Sequence, residues 1–261
     1  MNDGPTIFST TDLRFDIGGR ALVRDVSLAF PARSVSALIG HNGSGKSTLL
    51  KMLARQIIPT AGSIRFADEP ISRFGSRDFA RRVAYLPQDL HAAQDMTVRE
   101  LVALGRYPWH GALGRFTEED RSKVEEAIEL THLEPFANRA VGTLSGGERQ
   151  RAWIAMLVAQ DSQCLLLDEP TSALDLAHQI EVLSLIRTLS HDKGLSVILV
   201  LHDINMAARF SDRIFALKAG SVIAEGCPDD LLDKTVLESI YGIAMDVTRQ
   251  PGSTRPLAYV C

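Results

Sequence analysis

One stretch of the chain decides the fold: Gly40-His41-Asn42-Gly43-Ser44-Gly45-Lys46-Ser47-Thr48. It follows the apolar run Val35-Ser36-Ala37-Leu38-Ile39 and precedes the helix-forming run Leu49-Leu50-Lys51-Met52-Leu53-Ala54. A strand, a glycine-rich turn and a helix start are the context of a phosphate-binding loop of the pattern G-x-x-x-x-G-K-[ST]. Glycines let backbone N–H groups curl around a phosphate chain, and the helix N-terminus adds partial positive charge. The pattern predicts that Lys46 reaches the outer phosphates of a nucleoside triphosphate and that Ser47 holds Mg²⁺.

Length and composition bound the class of protein. The 261 residues suffice for one large α/β domain, or for one such domain with an inserted lobe. Hydrophobic residues make up 45% of the chain and charged residues 23%, which is ordinary for a globular protein. The net charge of −4 does not favour a nucleic-acid partner, since such partners are bound by basic faces. We therefore expect no nucleic acid among the partners.

Cysteine usage and apolar runs exclude several further classes. Cys164, Cys227 and Cys261 lie far apart and form no C-x-x-C pair, so free thiols are expected rather than zinc or disulfides. No apolar run approaches the roughly 18 residues of a membrane span. The N-terminus has neither the basic nor the apolar region of a secretory signal. A role at a membrane is therefore expected to depend on a partner.

Hydrophobic patterning predicts alternating β and α structure. Alternation on both sides of Gly18-Gly19 predicts an antiparallel hairpin, and later strands are predicted at 63–66, 83–86, 164–167 and 197–201. Between about Asp95 and Val141 the character changes to helix. A capping box at Thr97 opens one helix, and Thr117 opens another with acidic residues at the positive end of its dipole. We interpret this part as a mostly helical insertion between two α/β parts.

Several polar residues and one glycine-rich motif follow the phosphate-binding loop along the chain. Gln88 follows a strand, the run Leu144-Ser145-Gly146-Gly147-Glu148 forms a second glycine-rich loop, and Asp168-Glu169 ends a buried apolar run. Asp175 and His202 come later, the latter directly after another apolar run. Taken singly, each fits an ordinary structural role, such as a helix-start acid or a hydrogen-bonded histidine. In this combination and order they resemble the nucleotide-binding domain of ATP-binding-cassette (ABC) proteins, of which the loop at 144–148 is the hallmark.

The resemblance covers essentially the whole chain and implies the fold class. That class is α/β: a P-loop NTPase (ABC ATPase) core with an antiparallel β subdomain and an inserted α-helical subdomain. We expect a single ABC ATPase domain over residues 1–261. Within it, residues 1–94 and 162–261 form the RecA-like core plus β subdomain, and about 95–161 form the helical insert with the signature loop.

The resemblance also implies an ATPase that uses ATP and Mg²⁺ and assigns roles to individual residues. It makes Glu169, His202 and Gln88 catalytic, and it places Ser47, Asp168 and Gln88 on the metal. The nucleotide is expected to bind Gly40, His41, Asn42, Gly43, Ser44, Gly45, Lys46, Ser47 and Thr48. In a head-to-tail dimer, the signature residues Ser145, Gly146, Gly147 and Glu148 are expected to cover the ATP of a second copy, with Asp175 contacting across the dimer.

The adenine contact departs from the family pattern. Family members usually stack an aromatic residue on the base just before the turn of the first hairpin, where this chain has Ile17. Phe15 lies two residues earlier, on the same face of the predicted strand. Either residue can contact the base, and both alternatives stay open at this point.

The type of ABC protein is suggested by two stretches, residues 105–116 and 145–161. They resemble the ATPase subunits of bacterial importers for iron–siderophore complexes, haem and cobalamin, and at full length those of ferric-hydroxamate (ferrichrome-type) importers. This implies an integral membrane permease of one or more subunits and, indirectly, a periplasmic siderophore-binding protein. It implies a peripheral location on the cytoplasmic face of the bacterial inner membrane. Ferric catecholate, haem or cobalamin are alternative cargoes, and an ABC ATPase without a transporter is the remaining class.

The run Gly105-Arg106-Tyr107-Pro108-Trp109 has two interpretations. It forms either a packed turn between helices or a docking surface for the permease, since Tyr, Trp and Arg favour interfaces. The hypothesis carried forward is that Arg106 to Trp109 contribute to docking.

Overall fold

The structure is a computed structural model that describes residues 4–89, 93–111, 114–249 and 256–261. It divides into two compact units, Met1–Arg73 with Leu189–Cys261, and Phe74–Thr188. The strands are β1 Thr6–Ile17, β2 Arg20–Pro31, β3 Val35–Ile39, β4 Ala61–Phe66, β5 Glu69–Pro70, β6 Val83–Leu86, β7 Cys164–Leu167, β8 Ser196–Val200, β9 Arg213–Lys218, β10 Ser221–Gly226, β11 Met245–Arg249 and β12 Pro256–Val260. The helices are α1 Lys46–Leu53, α2 Ser76–Arg82, α3 Val98–Leu104, α4 Tyr107–His110, α5 Glu118–Leu130, α6 Gly146–Ala159, α7 Leu176–Lys193, α8 Ile204–Phe210, α9 Pro228–Leu231 and α10 Lys234–Tyr241.

The first unit contains the predicted hairpin. Strand β1 pairs antiparallel with β2, and Ile17 faces Arg20 across the turn. Gly18 and Gly19 both have positive φ values, 56° and 77°, which a two-residue hairpin turn requires and glycine adopts freely. On its other side β1 pairs antiparallel with β4, and Phe8 meets Phe66 edge to face with ring centroids 5.0 Å apart. The antiparallel β part is thus confirmed.

The strand that leads to the phosphate-binding loop lies at the centre of the α/β part of this unit. Strand β3 pairs in parallel with both β8 and β9, and β9 continues antiparallel to β10. All five residues of β3 and of β8 are buried. Burial on both faces explains why these strands are continuous apolar runs without alternation. Because parallel strands end at the same edge, the segments after β3 and β8 lie side by side.

The second unit combines a parallel strand pair with the helical segment. Strands β6 and β7 pair in parallel, with Val83 opposite Cys164. Thr97 caps α3 in the capping box that the sequence predicts, and Thr117, the predicted start of the next helix, caps α5 in a complete capping box as well. Helix α5 closes its box with Asp120. The predicted helical insert, about 95–161, falls inside this unit.

In the segment predicted to dock a permease, Arg106 and Trp109 make contacts within their own unit. Arg106 is only 2% exposed, and its guanidinium donates to Asp120 Oδ1 at 2.8 Å and to the carbonyl of Ala159 at 2.9 Å. Trp109 Nε1 donates to the carbonyl of Gln160 at 2.7 Å. The docking hypothesis is therefore wrong for Arg106, whose guanidinium is buried and paired with Asp120 in the same unit. Within the run 105–109, only Tyr107 is largely exposed.

Two further findings concern membranes and metals. In the parts of the chain that the structure describes, no helix combines the length and apolarity needed to cross a bilayer. Among the same residues, no group of three or more His, Cys, Asp or Glu side chains is arranged to hold a metal ion.

Candidate functional site

The phosphate-binding loop, residues 40–48, folds around the ammonium group of Lys46. The side chain is buried, and Nζ donates to the carbonyls of Gly40 at 2.8 Å and His41 at 3.0 Å. Asn42 and Gly43 form the exposed tip of the loop, whereas Ser47 and Thr48 are half-buried in the first turn of α1. The loop therefore holds a fixed positive charge within a ring of backbone groups, which suits a phosphate chain.

Two glycines of this loop have no possible replacement without strain. Gly40 has φ 138°, and a Cβ built on it would lie 2.1 Å from the carbonyl oxygen of Leu217 in β9. Gly45 has φ 104°, and its Cβ would lie 2.6 Å from the carbonyl oxygen of Leu22 in β2. Both obstacles are backbone atoms of strands, so they cannot move aside. The loop is thus shaped by close backbone packing as well as by left-handed turns.

The start of α1 is open for an anion. Gly45 is its N-cap and provides no side-chain cap, so the first N–H groups of the helix keep their capacity to bind a ligand. The hydroxyl of Ser44 is buried and has no hydrogen-bond partner among the described residues. An unsatisfied buried hydroxyl is costly. A phosphate oxygen would satisfy both groups.

The side chain of His41 points to the C-terminal end of α10. Its Nε2 donates to the carbonyl of Tyr241 at 2.7 Å, and the two rings meet edge to face with centroids 5.7 Å apart. Burial, followed by the negative charge of Asp203, raises the pKa of Tyr241 to about 12. Sequence reasoning missed Tyr241, because nothing in the local pattern connects a late helix to the loop. Only the backbone carbonyl of His41 faces Lys46.

His202 lies in the same unit, two residues beyond the end of β8. Strand β8 is the parallel neighbour of β3, and the N–H of Leu201 donates to the carbonyl of Leu38 at 3.0 Å. His202 therefore follows its strand at the same sheet edge as the phosphate-binding loop. Asp203 caps α8 by accepting from the N–H of Met206 at 2.8 Å.

The two candidates for the adenine contact lie at the end of the first hairpin. Ile17 is 60% exposed, whereas Phe15 is half-buried and faces Val23 of β2. Both remain candidates, since Ile17 offers more surface and Phe15 offers the aromatic ring.

In the second unit, β7 presents two carboxylates at its end. Asp168 is 1% exposed, and its N–H continues the strand pairing by donating to the carbonyl of Leu86 at 2.9 Å. Glu169 follows with φ 52°, a left-handed conformation that is uncommon for a non-glycine residue. Such local strain clusters at functional sites.

Gln88 and Glu169, far apart in the sequence, meet in this unit. Gln88 Nε2 donates to Glu169 Oε2 at 2.7 Å. Both line a pocket of about 300 Å³ together with Arg149, Gln150 and Trp153 from α6. Sequence reasoning missed these three α6 residues, although Gln150 and Trp153 have the spacing of one helix face.

The signature loop, residues 144–148, leads into α6. Ser145 Oγ accepts from the N–H of Glu148 at 3.3 Å, while Glu148 Oε2 accepts from the N–H of Ser145 at 2.8 Å. The hydrogen bonds from Ser145, the backbone N–H first, hold the pKa of Glu148 below its usual range. Gly146 and Gly147 form the first turn of the helix.

Asp175 lies just before α7 and caps it. Its Oδ1 accepts from the N–H of His178 at 2.9 Å and from the ring Nδ1 of His178 at 2.8 Å. These two hydrogen bonds lower the pKa of Asp175. The sequence pointed to Asp175 but not to His178.

Comparisons with known proteins agree with this geometry. The sequence model of the ABC transporter family matches residues 23–172. The chain is 40% identical to the iron(3+)-hydroxamate import ATP-binding protein FhuC of Bacillus subtilis, over 95% of this chain and 93% of that protein. It is 39% identical to the ferric enterobactin transport ATP-binding protein FepC of Escherichia coli, over 94% and 90% of the two chains. Among solved structures, a dimeric bacterial ABC transporter cassette matches with a TM-score of 0.72 and 28% identity, over 85% of this chain and 99% of that one.

The matches confirm the fold class and the family that the motifs predicted. The family model covers more than half of the chain, and the relatives are similar over nearly their full length. This chain belongs to the ABC transporter family, as one of its ATP-binding, ATP-hydrolysing proteins.

Proposed function

We propose that this protein is the ATPase subunit that powers the import of a ferric siderophore, and that the cargo is a ferric hydroxamate. One observation carries the proposal: the similarity to the iron(3+)-hydroxamate import ATP-binding protein extends over 95% of the chain at 40% identity. Ferric enterobactin is the second candidate cargo, because the relative named for it is 39% identical. The cargo itself would be recognised by other subunits, so the two candidates differ little at this chain.

ATP binds, in this proposal, at residues 40–48. Lys46 neutralises the outer phosphates, and the N–H groups at the start of α1 donate to phosphate oxygens. The buried Ser44 hydroxyl and the left-handed glycines support this assignment. His202, at the same sheet edge, donates to the γ-phosphate.

The residues proposed to hold Mg²⁺ have side-chain oxygen atoms of the kind that this ion binds. Ser47 offers a hydroxyl oxygen, Asp168 a carboxylate oxygen and Gln88 an amide oxygen, and oxygen atoms are the ligands that Mg²⁺ prefers. Asp168 is buried, so a divalent cation would stabilise its charge. When bound, the ion neutralises charge that develops on the phosphates.

Glu169 is the proposed catalytic carboxylate. Its Oε2 accepts the hydrogen bond from Gln88, which orients the carboxylate that would polarise the attacking water. Phosphoryl transfer needs a positioned nucleophile and charge neutralisation more than covalent help from the protein. The roles of Glu169, Gln88 and His202 are therefore compatible with one hydrolytic step.

The proposed partner at the nucleotide is a second copy of the chain. The signature residues Ser145, Gly146, Gly147 and Glu148 would cover the ATP of that copy, and Asp175 would contact it from the next loop. The dimeric cassette of similar fold supports this arrangement. The N–H groups at the start of α6 suit a phosphate, as those of α1 do.

The proposed location is the cytoplasmic face of a bacterial inner membrane, held there by an integral permease. The relatives are import and transport ATP-binding proteins, which supports a permease partner. A periplasmic siderophore-binding protein would act on the other side and touch this chain only indirectly.

The cargo is tested by uptake in a strain that lacks this gene, complemented with wild type or with Glu169→Gln. Labelled ferric hydroxamate, ferric enterobactin, haem and cobalamin are offered separately. Loss of hydroxamate uptake alone, restored only by wild type, is expected. Loss of uptake of a different cargo would support the role in import but change the proposed substrate. Unchanged uptake of all four cargoes would contradict a role in import.

The catalytic assignment is tested on the purified chain. Glu169→Gln should lower kcat for ATP hydrolysis by about a hundredfold or more, the usual range for removal of a general base. The Kd for ATP should stay unchanged, because Glu169 does not contribute to the loop at 40–48. Lys46→Ala is the matched control, since it should weaken ATP binding itself. Undiminished hydrolysis by Glu169→Gln would refute the role of Glu169.

A further inference from the structure

The second glycine of the signature loop is in direct contact with a side chain from α7. A Cβ built on Gly147 would lie 2.3 Å from Cδ2 and 2.8 Å from Cγ of the His178 ring. Gly147 does not have a positive φ, so its helical backbone would accept any L-residue. Glycine is required at this position because the imidazole occupies the space of a side chain.

The neighbouring glycine is much less confined. A Cβ on Gly146 would meet only the Cδ2 tip of Leu174, at 3.3 Å. A flexible side-chain end can shift by a few tenths of an ångström at little cost. The tight contact is therefore specific to Gly147 and His178.

The other edge of the His178 ring is bound to the residue that precedes α7. Nδ1 donates to Asp175 Oδ1 at 2.8 Å, and the same oxygen accepts the backbone N–H of His178. His178 is about one-third exposed, so one imidazole joins two loops at the protein surface. Arg151 of α6, in the next turn, pairs with Glu181 of α7 at 3.1 Å and holds the two helices together beyond this contact.

We propose that His178 is a positioning residue that couples the signature loop to Asp175. Its ring sets the distance between Gly147 and the start of α7, and its Nδ1–H fixes the carboxylate of Asp175. This inference rests on the proposed function, in which the signature loop and Asp175 both face the ATP of a second copy. A displacement of either loop would then change the other, and His178 would transmit it.

Such a coupling acts on turnover rather than on the first binding of ATP. The loop at 40–48 binds the nucleotide within one copy, whereas the signature loop completes the site only when two copies close. A misplaced group in a completed site can cost an order of magnitude or more in rate. Loss of His178 is therefore expected to lower kcat about tenfold while leaving the KM for ATP unchanged.

The experiment is a double-mutant cycle in the full-length chain, with Gly147→Ala, His178→Ala and the double variant. Gly147→Ala should lower Tm by about 5 °C and reduce kcat, because the new methyl group displaces the imidazole. In the double variant the methyl group has room, so kcat should equal that of His178→Ala alone. If the two losses multiply instead, Gly147 acts independently of His178 and the proposal is overturned.

A matched control and two further variants separate positioning from packing. Gly146→Ala is the control for stability: it should change Tm by the same small amount with or without His178, because a Cβ there would meet only the tip of Leu174. His178→Asn keeps a donor near the Nδ1 position and should recover kcat relative to His178→Ala, whereas His178→Phe keeps the ring and should recover only Tm. Equal kcat for the Asn and Ala variants would reduce His178 to a packing residue and overturn the proposal.

Failure of the proposed function would be visible separately. If the wild-type chain hydrolysed no ATP, the proposed function would fail, while the Tm values would still measure the coupling between Gly147 and His178. If the Tm values are coupled but the kcat losses multiply, the proposed ATPase function stands and the positioning role of His178 is refuted.

Discussion

Two glycine-rich loops of this protein each lead into the first turn of a helix, residues 40–45 before α1 and residues 144–147 at α6. In the first, Gly40 and Gly45 adopt left-handed φ values and face backbone carbonyls of neighbouring strands. In the second, neither Gly146 nor Gly147 has a positive φ, and both face side chains. Glycine is thus needed for backbone conformation in one loop and for the room of a neighbouring side chain in the other.

The two helices also begin differently. Helix α1 has Gly45 at its N-cap and no side-chain cap, whereas α6 begins with a complete capping box formed by Ser145 and Glu148. A helix without a cap keeps its N–H groups for a ligand, while a capped helix keeps its own geometry when no ligand is present. The loop at 40–45 is therefore shaped to enclose phosphate, whereas the loop at 144–147 keeps its conformation without a bound partner.

The largest expected effect tests the backbone constraint in the phosphate-binding loop. Gly40→Ala should destabilise the protein by about 4 kcal/mol, the sum of a left-handed strain and a collision with the Leu217 carbonyl. Chemical denaturation and titration with a fluorescent ATP analogue measure the change, and ATP binding should be lost. Gly146→Ala is the control for stability and should cost little, because a Cβ there would meet only the tip of the Leu174 side chain. Normal ATP binding by Gly40→Ala would remove the distinction between the two loops.

The next effect concerns the C-terminal end of α6, the helix that begins at the signature loop. Arg106→Ala removes the buried partner of Asp120 and the hydrogen-bond donor to the Ala159 carbonyl. It should therefore lower the free energy of unfolding by about 3 kcal/mol. Arg99→Ala, which breaks the exposed pair with Glu125, should cost less than about 1 kcal/mol. Urea denaturation of both variants gives the comparison. Equal losses would show that Arg106 does not anchor α6.

The smallest effect is a pH dependence of the cap on α6. The pKa of Glu148 is below its usual range in the folded state, so its stabilisation is complete above the unfolded value, about 4.3, and is lost as the pH falls through the folded pKa. The Tm of wild type should exceed that of Glu148→Gln above about pH 5, by the equivalent of about 0.5 kcal/mol. The difference should vanish in more acidic buffer. A constant difference at all pH values would assign the effect to packing instead.

Particular elements explain why sequence reasoning succeeded where it did. The strands at 35–39 and 164–167 are apolar runs bounded by turn residues, and the capping boxes at Thr97 and Thr117 are local patterns. Each of these features is decided by residues close together in the chain, so the sequence contains the whole signal. The phosphate-binding pattern at 40–48 is likewise local, although the close packing of Gly40 and Gly45 against Leu217 and Leu22 is not.

The failures involve contacts between distant residues. Arginine is rarely buried, and Arg106 is buried only because Asp120, 14 residues away, and the end of α6 receive its charge. The position of His41 against Tyr241 depends on a helix near the other end of the chain. No local pattern predicts such pairs.

The sequence by itself determined the family, the phosphate-binding loop and the order of the polar residues and motifs that follow it. These features depend on local backbone chemistry and on spacing along the chain. Only the tertiary structure decided which residues meet: Gln88 with Glu169, Arg106 with Asp120, and Gly147 with His178. The physical reason is that hydrogen bonding and steric exclusion act over a few ångströms in space, whereas a sequence motif records only separation along the chain.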